Sequence, residues 1–436
     1  MTKRLTIESI RWQEEPAKVT IFRNGDKTDI FFQITSAKNI QGMCRGRPVE
    51  ELPRIMPVIA PAHHLAAARV LDSLFNVEPP PMALNMRAGL LQAQYTTSHL
   101  RKLYFLLSHW VCPFEDFRAA ERRHRHMKSV HRMLHDIMHH LALAQEAEVI
   151  IGGRNDHPLS AVAGGVSRFL KEGLYERLAE IAESCVLFAP RLGEFFRTEM
   201  FNDGKAMDEF RAVEIHPMAM ITLAGAEKSI VLKGVTGKET DSFPVARAFE
   251  KIGLHTEGWT HMPFAYVMEK GWKGLQAEQT GSLCFVGPLA RLNGGEPLTS
   301  PMAEKERRHL IEMLGPFPHF GVVAAYGALL VELIQAAEYM KELFVQEKLT
   351  GPSIRIIPSE MNRSGCAAIE SPEGLIFHEY KVNGRGVVEN VRVMDAATAN
   401  NALRCVIVQK VVSDAMTEGL DLSAIKSRVE ISLLPF

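Results

Sequence analysis

Two glycine pairs enclose a His-Pro dipeptide near the middle of the chain, and this arrangement limits the possible folds more than any other feature. The stretch IIGGRNDHPLSAVAGGVSR carries Gly152-Gly153 and Gly164-Gly165 on either side of His157-Pro158. It has no helical period, although helical patterns occupy residues 114–148 before it and 168–186 after it. Because glycine adopts backbone conformations closed to other residues, the stretch predicts a tight turn region between two long helices.

Helices dominate the rest of the predicted structure. Residues 63–107 have a helical pattern broken by the proline run 79–81, and residues 303–348 have another, broken near GPFPHFG. A further helix is predicted from Asn400 to Thr417. We therefore expect a predominantly helical fold of the α+β class.

Strand patterns occur near both ends of the chain and in one internal region. Alternating apolar residues around Asn24-Gly25 predict a hairpin within residues 4–35, and those around Asn383-Gly384 predict a second hairpin. The strand-like pieces AMITLAG and KSIVLKG lie within residues 211–258. We expect a single domain, 1–436, with a β-rich part over 1–60, a mainly helical core with inserted strands over 61–350, and a hairpin region with a terminal helix over 351–436.

The composition excludes several classes of function. The chain has 50 Lys and Arg residues against 51 Asp and Glu, so its balanced charge does not indicate binding to nucleic acid or to an anionic membrane. It has no apolar run long enough to span a bilayer and no signal-like N-terminal segment, so we expect a cytoplasmic protein that is not an integral membrane protein. The six cysteines are scattered, which indicates reduced thiols, and we assign no chemistry to Cys44 or Cys366.

Four segments together resemble one known family. Residues 44–69, CRGRPVEELPRIMPVIAPAHHLAAAR, contain G-R-P, then R-I, then a histidine pair, and the glycine-rich stretch follows the pattern G-G-R-x-x-H-P. Further along are VGPLARLN, from Val286 to Asn293, and ESPEGLIFHEY, from Glu370 to Tyr380. This series is similar to the large subunit of nickel–iron hydrogenases, most closely to the cytoplasmic, methyl-viologen-reducing type that works beside heterodisulfide reductases. The resemblance implies a hydrogenase-large-subunit-like fold.

The cysteines that hold the metals in that family are missing. The family has R-I-C-G-V-C where this chain has Arg54-Ile55 followed by MPVIAP, so the cysteine positions fall on Met56 and Ile59. The family's second pair, in D-P-C-x-x-C-x-x-H, is lacking too, because the sequence contains no C-x-x-C. Thiolates select nickel and low-spin iron, and neither a thioether nor an alkyl group replaces an anionic bridging ligand. We therefore expect that this chain binds no metal and no other cofactor.

Further positions that the resemblance implicates have changed as well. The family's arginine over the open metal position is Glu373 here, and only Glu14, the family's proton-relay carboxylate, remains of its R-I-E-G-H motif. Gln41 replaces a glutamate that helps bind a divalent ion in the family. The resemblance thus implies a vestigial pocket without catalytic residues. We define this vestigial pocket by Glu14, Met56, Ile59, His63, His64, Glu370 and Glu373.

Two groups of histidines invite a chemical role. We interpret His63 and His64 as side chains that complete hydrogen bonds at the start of a helix from Leu65, rather than as an acid–base pair. His131, His135 and His139 recur every fourth residue, so they share one helical face, and pairs with this spacing can chelate zinc or copper. Arginines surround them and an apolar stripe runs beside them, so we interpret this face as the polar shoulder of a core-facing helix.

The resemblance and its missing ligands lead to one main hypothesis and two alternatives. We expect a catalytically inactive structural subunit of a multisubunit electron-transfer complex, which docks an iron–sulfur small subunit. Iron–sulfur clusters and flavin are then expected in partner subunits, among them heterodisulfide-reductase-like proteins. In the first alternative, the vacated pocket binds a small organic or quinone-like molecule, as in the related subunit of respiratory complex I. In the second, the chain is a hydrogenase whose metal is held by other ligands.

Overall fold

The computed structural model describes most of the chain. The described residues are 3–10, 16–25, 27–36, 39–56, 60–111, 124–201, 213–214, 218–224, 229–275, 281–295, 298–346 and 353–436. Glu14 and Ile59 of the vestigial pocket lie outside them.

Helices and strands alternate in blocks along the chain. The helices are α1 Ile40–Cys44, α2 Leu52–Ile55, α3 Pro61–Leu74, α4 Pro81–Val111, α5 His124–Gly152, α6 Glu172–Phe195, α7 Ala248–Lys251, α8 Pro288–Leu292, α9 Pro301–Leu314, α10 Val322–Lys341, α11 Ala396–Ala399, α12 Asn401–Thr417 and α13 Leu422–Leu433. The strands are β1 Lys3–Ile10, β2 Ala17–Asn24, β3 Lys27–Ile34, β4 Ala161–Val162, β5 Gly165–Val166, β6 Ala219–Ala224, β7 Ser229–Lys233, β8 Glu239–Pro244, β9 Ile252–His255, β10 Phe264–Val267, β11 Cys284–Phe285, β12 Ser364–Glu370, β13 Leu375–Val382 and β14 Val388–Met394.

Helix α10 forms the centre of the helical core. Nearly all of its residues are buried, and it packs against α4, α6 and α9. A helix enclosed by other helices is apolar all round, as this one is. Among the described residues, Val322–Val345 is the one helix long and apolar enough to cross a membrane, and 83% of its most apolar window is buried inside the protein.

Small sheets surround this core. Strands β1, β2 and β3 form an antiparallel sheet that packs on α12, and β12, β13 and β14 form another that packs on α3. Strands β6, β7 and β8 are antiparallel, with β11 added parallel to β6. The sheet β12–β14 matters most for the site, because its first two strands carry the ESPEGLIFHEY segment against α3.

The glycine-rich stretch forms the short hairpin β4–β5, and a neighbouring segment pairs with it. The Val166 amide donates to the Ile354 carbonyl, and the Ile356 amide donates to the Gly164 carbonyl, both at 2.9 Å. Gly164 has a φ of +76°, and a Cβ on it would lie 1.9 Å from the Ile356 carbonyl oxygen. Only glycine permits this conformation and this approach.

The predicted fold class is confirmed, and the patterned elements are observed. Both hairpins form at Asn24-Gly25 and Asn383-Gly384, α4 begins at Pro81, and the break near GPFPHFG separates α9 from α10. The first part of the helix predicted over 114–148 lies outside the described residues, and α5 continues to Gly152.

Two helix boundaries differ from the prediction and one helix was missed. Helix α3 begins at Pro61 rather than Leu65, and α6 begins at Glu172 rather than residue 168. Helix α13 was not predicted, although its N-cap was visible: the Asp421 carboxylate accepts the Ala424 amide at 2.8 Å.

Candidate functional site

The turn from Glu370 to Gly374 lies against Val286, so two of the motif segments meet there. Gly374 has a φ of +141°, and a Cβ on it would lie 2.2 Å from a methyl group of Val286. The Ser371 hydroxyl donates to the Gly374 carbonyl at 2.8 Å and closes the turn. This close approach requires glycine. It brings Glu370 and Glu373 against helices α8 and α4, respectively.

His63 belongs to a buried chain of three polar side chains. Its Nδ1 shares a hydrogen bond with Nε2 of His378 at 3.0 Å, and Nδ1 of His378 shares another with the Tyr380 hydroxyl at 2.7 Å. All three residues are buried. Burial lowers the pKa of His378 well below its ordinary value, so that imidazole is neutral. The chain therefore ties α3 to strand β13.

His64 makes two hydrogen bonds whose partners define its tautomer. Its Nδ1–H donates to the Pro53 carbonyl at 2.8 Å, and its Nε2 accepts the Ala161 amide at 2.9 Å. A carbonyl only accepts and an amide N–H only donates, so the ring is the neutral Nδ1–H form. Burial lowers the pKa of His64 to about 4. This side chain therefore fixes α2 and the glycine hairpin to α3.

Met56, at the first cysteine position, is part of an apolar cluster. Its side chain is 2% exposed and packs in one cluster with Cys44, Leu52, Leu71 and Tyr380. A thioether in such surroundings fills space and contacts aromatic rings. The side of the vestigial pocket that Met56 forms is therefore closed by the protein's own core.

Glu373 is held from helix α4. The Ser98 hydroxyl donates to Glu373 Oε1 at 2.6 Å. Burial raises the pKa of Glu373, but the charge of Lys102 and the Ser98 hydrogen bond more than offset this effect, so the pKa lies below its ordinary value. The residue is therefore an anion in the place where the family has a cation.

Glu370 belongs to a buried ionic network centred on Arg291. Arg291 donates Nη1–H to Glu370 Oε2 at 2.5 Å, and it donates Nε–H and Nη2–H to Glu332 at 2.5 and 2.8 Å. His99 Nε2 lies 3.1 Å from Glu332, and the Leu223 amide donates to Glu370 Oε1 at 2.9 Å. Every carboxylate oxygen of the network therefore has a partner.

The charges in this network shift the pKa values in opposite directions. Burial raises the pKa of Glu332, but Arg291 outweighs burial and brings it to about 2. Burial also raises the pKa of Glu370, and there Arg291 does not fully compensate. Arg291 thus pairs chiefly with Glu332.

Sequence reasoning missed this network, although it left signals. Arg291 and His378 lie inside the quoted motif segments but were given no role. Glu332 is a lone acidic residue within the apolar run GALLVELIQAA. A charged residue is rarely buried without a partner, so Glu332 announced an ion pair. The identity of that partner, 41 residues away in the chain, was not visible.

A cavity of about 80 Å³ remains between Glu373 and helices α4 and α5. Apart from Ala60 and Pro61, its lining is polar and includes Ser98, Glu148 and Glu373. Met56 and His63 do not line it. Larger cavities of about 570 and 610 Å³ lie elsewhere, the first beside Arg291 and Glu370 and the second between α1 and strands β9, β10 and β14.

The histidine face of α5 points to solvent. His131, His135 and His139 are all exposed, whereas Val130 and Ile137 on the adjoining stripe are buried. Within the described part of the chain, no group of three His, Cys, Asp or Glu side chains is placed to hold a metal ion.

The described cysteines lie apart from one another. Burial raises the pKa values of Cys185, Cys284 and Cys405 to about 12, so these thiols are protonated at neutral pH. Together with the apolar packing of Met56, this means that the residues present do not fit a nickel–iron centre, which needs paired thiolates.

The fold is that of a hydrogenase large subunit. The structure matches the crystal structure of a NAD⁺-reducing nickel–iron hydrogenase with a TM-score of 0.83 at 22% identity, covering 100% of this chain and 97% of that one. It also matches the nickel–iron–selenium hydrogenase of D. vulgaris Hildenborough with a TM-score of 0.73 at 16% identity, covering 99% and 98% of the two chains.

Sequence comparison points to the same family. The chain is 26% identical to an iron–sulfur subunit of the F420-non-reducing hydrogenase of Archaeoglobus profundus, with 100% of this chain and 93% of the relative covered. It is also 26% identical to a vhu subunit of the F420-non-reducing hydrogenase of Methanocaldococcus jannaschii, with 91% and 96% covered. No protein-family model matches the chain. On fold and sequence together, the chain belongs to the nickel–iron hydrogenase large-subunit family.

Proposed function

We propose that this chain is a catalytically inactive, structural member of its family, which docks an iron–sulfur small subunit within a multisubunit electron-transfer complex. The iron–sulfur clusters and flavin of the complex belong to its partner subunits, among them heterodisulfide-reductase-like proteins. The complex is cytoplasmic. Electrons pass through the partners, because this chain supplies no thiolate pair to hold a redox metal.

The packing of Met56 is the observation that carries this proposal. A metal ligand must present a lone pair to an open coordination site, whereas Met56 is enclosed by Leu52, Leu71 and Tyr380. Beside it, His63 and His64 already make hydrogen bonds within the protein. Side chains that once served a metal site are thus part of the core.

The small size of the remaining cavity weighs against the alternative of an organic substrate. Sites for organic ligands have volumes of roughly 300–1,000 Å³ and mainly apolar walls. The cavity beside Glu373 has about 80 Å³ and polar walls. A quinone-like molecule is therefore too large for it.

An exposed apolar patch near the glycine hairpin is our candidate docking surface. It consists of Leu159, Phe169, Ile356 and Ile357, and Ile357 is 81% exposed. The hairpin is bonded to α3 through His64 and Ala161, so the patch adjoins the vestigial pocket. Exposed apolar patches of this kind mark interaction surfaces, and the family's small subunit is the partner we assign to it.

Co-purification with the iron–sulfur small-subunit-like partner tests this proposal. We expect the two chains to elute together in size-exclusion chromatography and to show no hydrogen-dependent viologen reduction. Ile357→Glu places a charge in the contact and should weaken binding at least tenfold, because a buried unpaired charge opposes association.

Leu187→Glu is the matched control. Leu187 is 71% exposed on α6, outside the patch, so its substitution should leave binding unchanged. Equal binding by wild type and Ile357→Glu would reject the assigned surface. Hydrogen-dependent turnover by the purified complex, traced to this chain, would reject the inactive role.

A further inference from the structure

The cavity beside Glu373 is lined almost entirely by oxygen-bearing side chains. Three carboxylates, those of Glu148, Asp156 and Glu373, line it together with the amides of Gln94, Gln145 and Asn155. The hydroxyls of Thr97 and Ser98 complete this set. Oxygen ligands of this kind are preferred by small hard cations such as Mg²⁺ and Na⁺.

One carboxylate in this lining is left without a partner. Glu148 is 3% exposed, and its Oε1 has no hydrogen-bond partner among the described residues. Thr97, 5% exposed, likewise leaves its Oγ1 without a partner within the described chain. A buried polar atom without a partner costs about 1–3 kcal/mol, and more when the group is charged. These two atoms therefore require something that the protein itself does not supply.

Charge and volume indicate what that is. Arg101 is the one basic side chain in the described lining, and Lys102 acts on Glu373 from nearby, so three carboxylates face two cations. The balance is one excess negative charge once Glu148 is ionised, and a bound cation favours that form, because burial raises the pKa of Glu148 to about 7. A water molecule needs about 10–15 Å³ of such space, so the 80 Å³ cavity accommodates an ion with several waters but no organic cofactor.

We propose that this cavity binds a small hard cation, Mg²⁺ or Na⁺, between helices α4 and α5. Glu148 Oε1 is its principal protein ligand, Thr97 Oγ1 is a second, and retained water fills the remaining positions. Because Mg²⁺ keeps several waters and uses one or two carboxylates, the site needs no group of three ligating carboxylates. The cation site is independent of the inactive role, since it requires no partner and no thiolate.

Thermal unfolding of the full chain in titrations with MgCl₂ or NaCl tests the site. Choline chloride holds the ionic strength constant, because screening alone changes stability. We expect a saturable rise in the unfolding temperature with one of the two cations. Glu148→Gln should raise the half-saturating concentration at least tenfold, and Glu183→Gln, an exposed carboxylate on α6, should not.

The outcomes separate the cation from water. A saturable response that is lost in Glu148→Gln supports the site, and the salt that produces it identifies the ion. The absence of a saturable response to both salts, or an equal response in wild type and Glu148→Gln, overturns the proposal. If Glu148→Gln does not fold, Asp156→Asn serves instead, because Asp156 is exposed at the cavity rim and its replacement leaves no buried gap.

Discussion

Substitution of Arg291 by methionine tests how the vestigial site is held together. In the structure, Arg291 makes three charge-assisted hydrogen bonds to two carboxylates, and the three side chains are 18%, 10% and 15% exposed. Arg291→Met keeps much of the volume but leaves Glu332 and Glu370 facing each other without their cation. Breaking a buried ion pair by removing one partner costs about 3–5 kcal/mol.

Equilibrium unfolding in urea at pH 7, followed by far-ultraviolet circular dichroism, measures this cost. Since stability falls linearly with denaturant, a loss of this size moves the midpoint by about 1 M or more. Arg308→Met is the matched control. Arg308 is 70% exposed and pairs with Glu304 at 3.0 Å, so its removal should cost less than about 1 kcal/mol.

A double variant distinguishes uncompensated charge from lost packing. Adding Glu332→Gln to Arg291→Met removes the carboxylate that lost its main partner, and it should recover at least about 1 kcal/mol. If Arg291→Met costs no more than Arg308→Met, or if the second substitution recovers nothing, the network does not hold the site as we describe.

Three further outcomes follow from other parts of the structure. His64 has a pKa of about 4 when folded against 6.5 when unfolded, so the unfolded state binds more protons between these values. Wild type should therefore lose up to about 3 kcal/mol relative to His64→Gln as the pH falls from 6.5 to 4, and parallel pH profiles in urea melts would contradict this. Gly164→Ala should destabilise the chain by more than about 2 kcal/mol, because its Cβ meets the Ile356 carbonyl at a positive φ. Gly173→Ala, where the Cβ meets nothing within 4 Å, should be neutral or stabilising by about 0.4–1 kcal/mol, so equal midpoints for the two variants in thermal melts would refute the steric argument.

Local patterns in the sequence were sufficient to predict most of the fold. The turns at Asn24-Gly25 and Asn383-Gly384 and the break at Pro81 depend on residues close together in the chain, and all three are observed. The glycine pair Gly164-Gly165 was also recognised, but not the backbone of Ile354–Ile356 that requires it. Which segment approaches a glycine is a tertiary fact.

The site could be predicted only in part for the same reason. The missing cysteines at Met56 and Ile59 were evident from residue identity, whereas the surroundings of Met56 depend on strands more than 300 residues away. The pairing of His63 with His378 spans 315 residues. Sequence patterns show that a residue is buried or charged, but only the fold brings its partner to it.

The metal content of the natively purified protein tests the central claim most directly. Plasma mass spectrometry of the complex should find no nickel above background and iron only in the amount that the partner's clusters require. One nickel ion per chain, retained through size-exclusion chromatography, would show that this fold still holds a nickel centre through other ligands and would contradict the structural role proposed here.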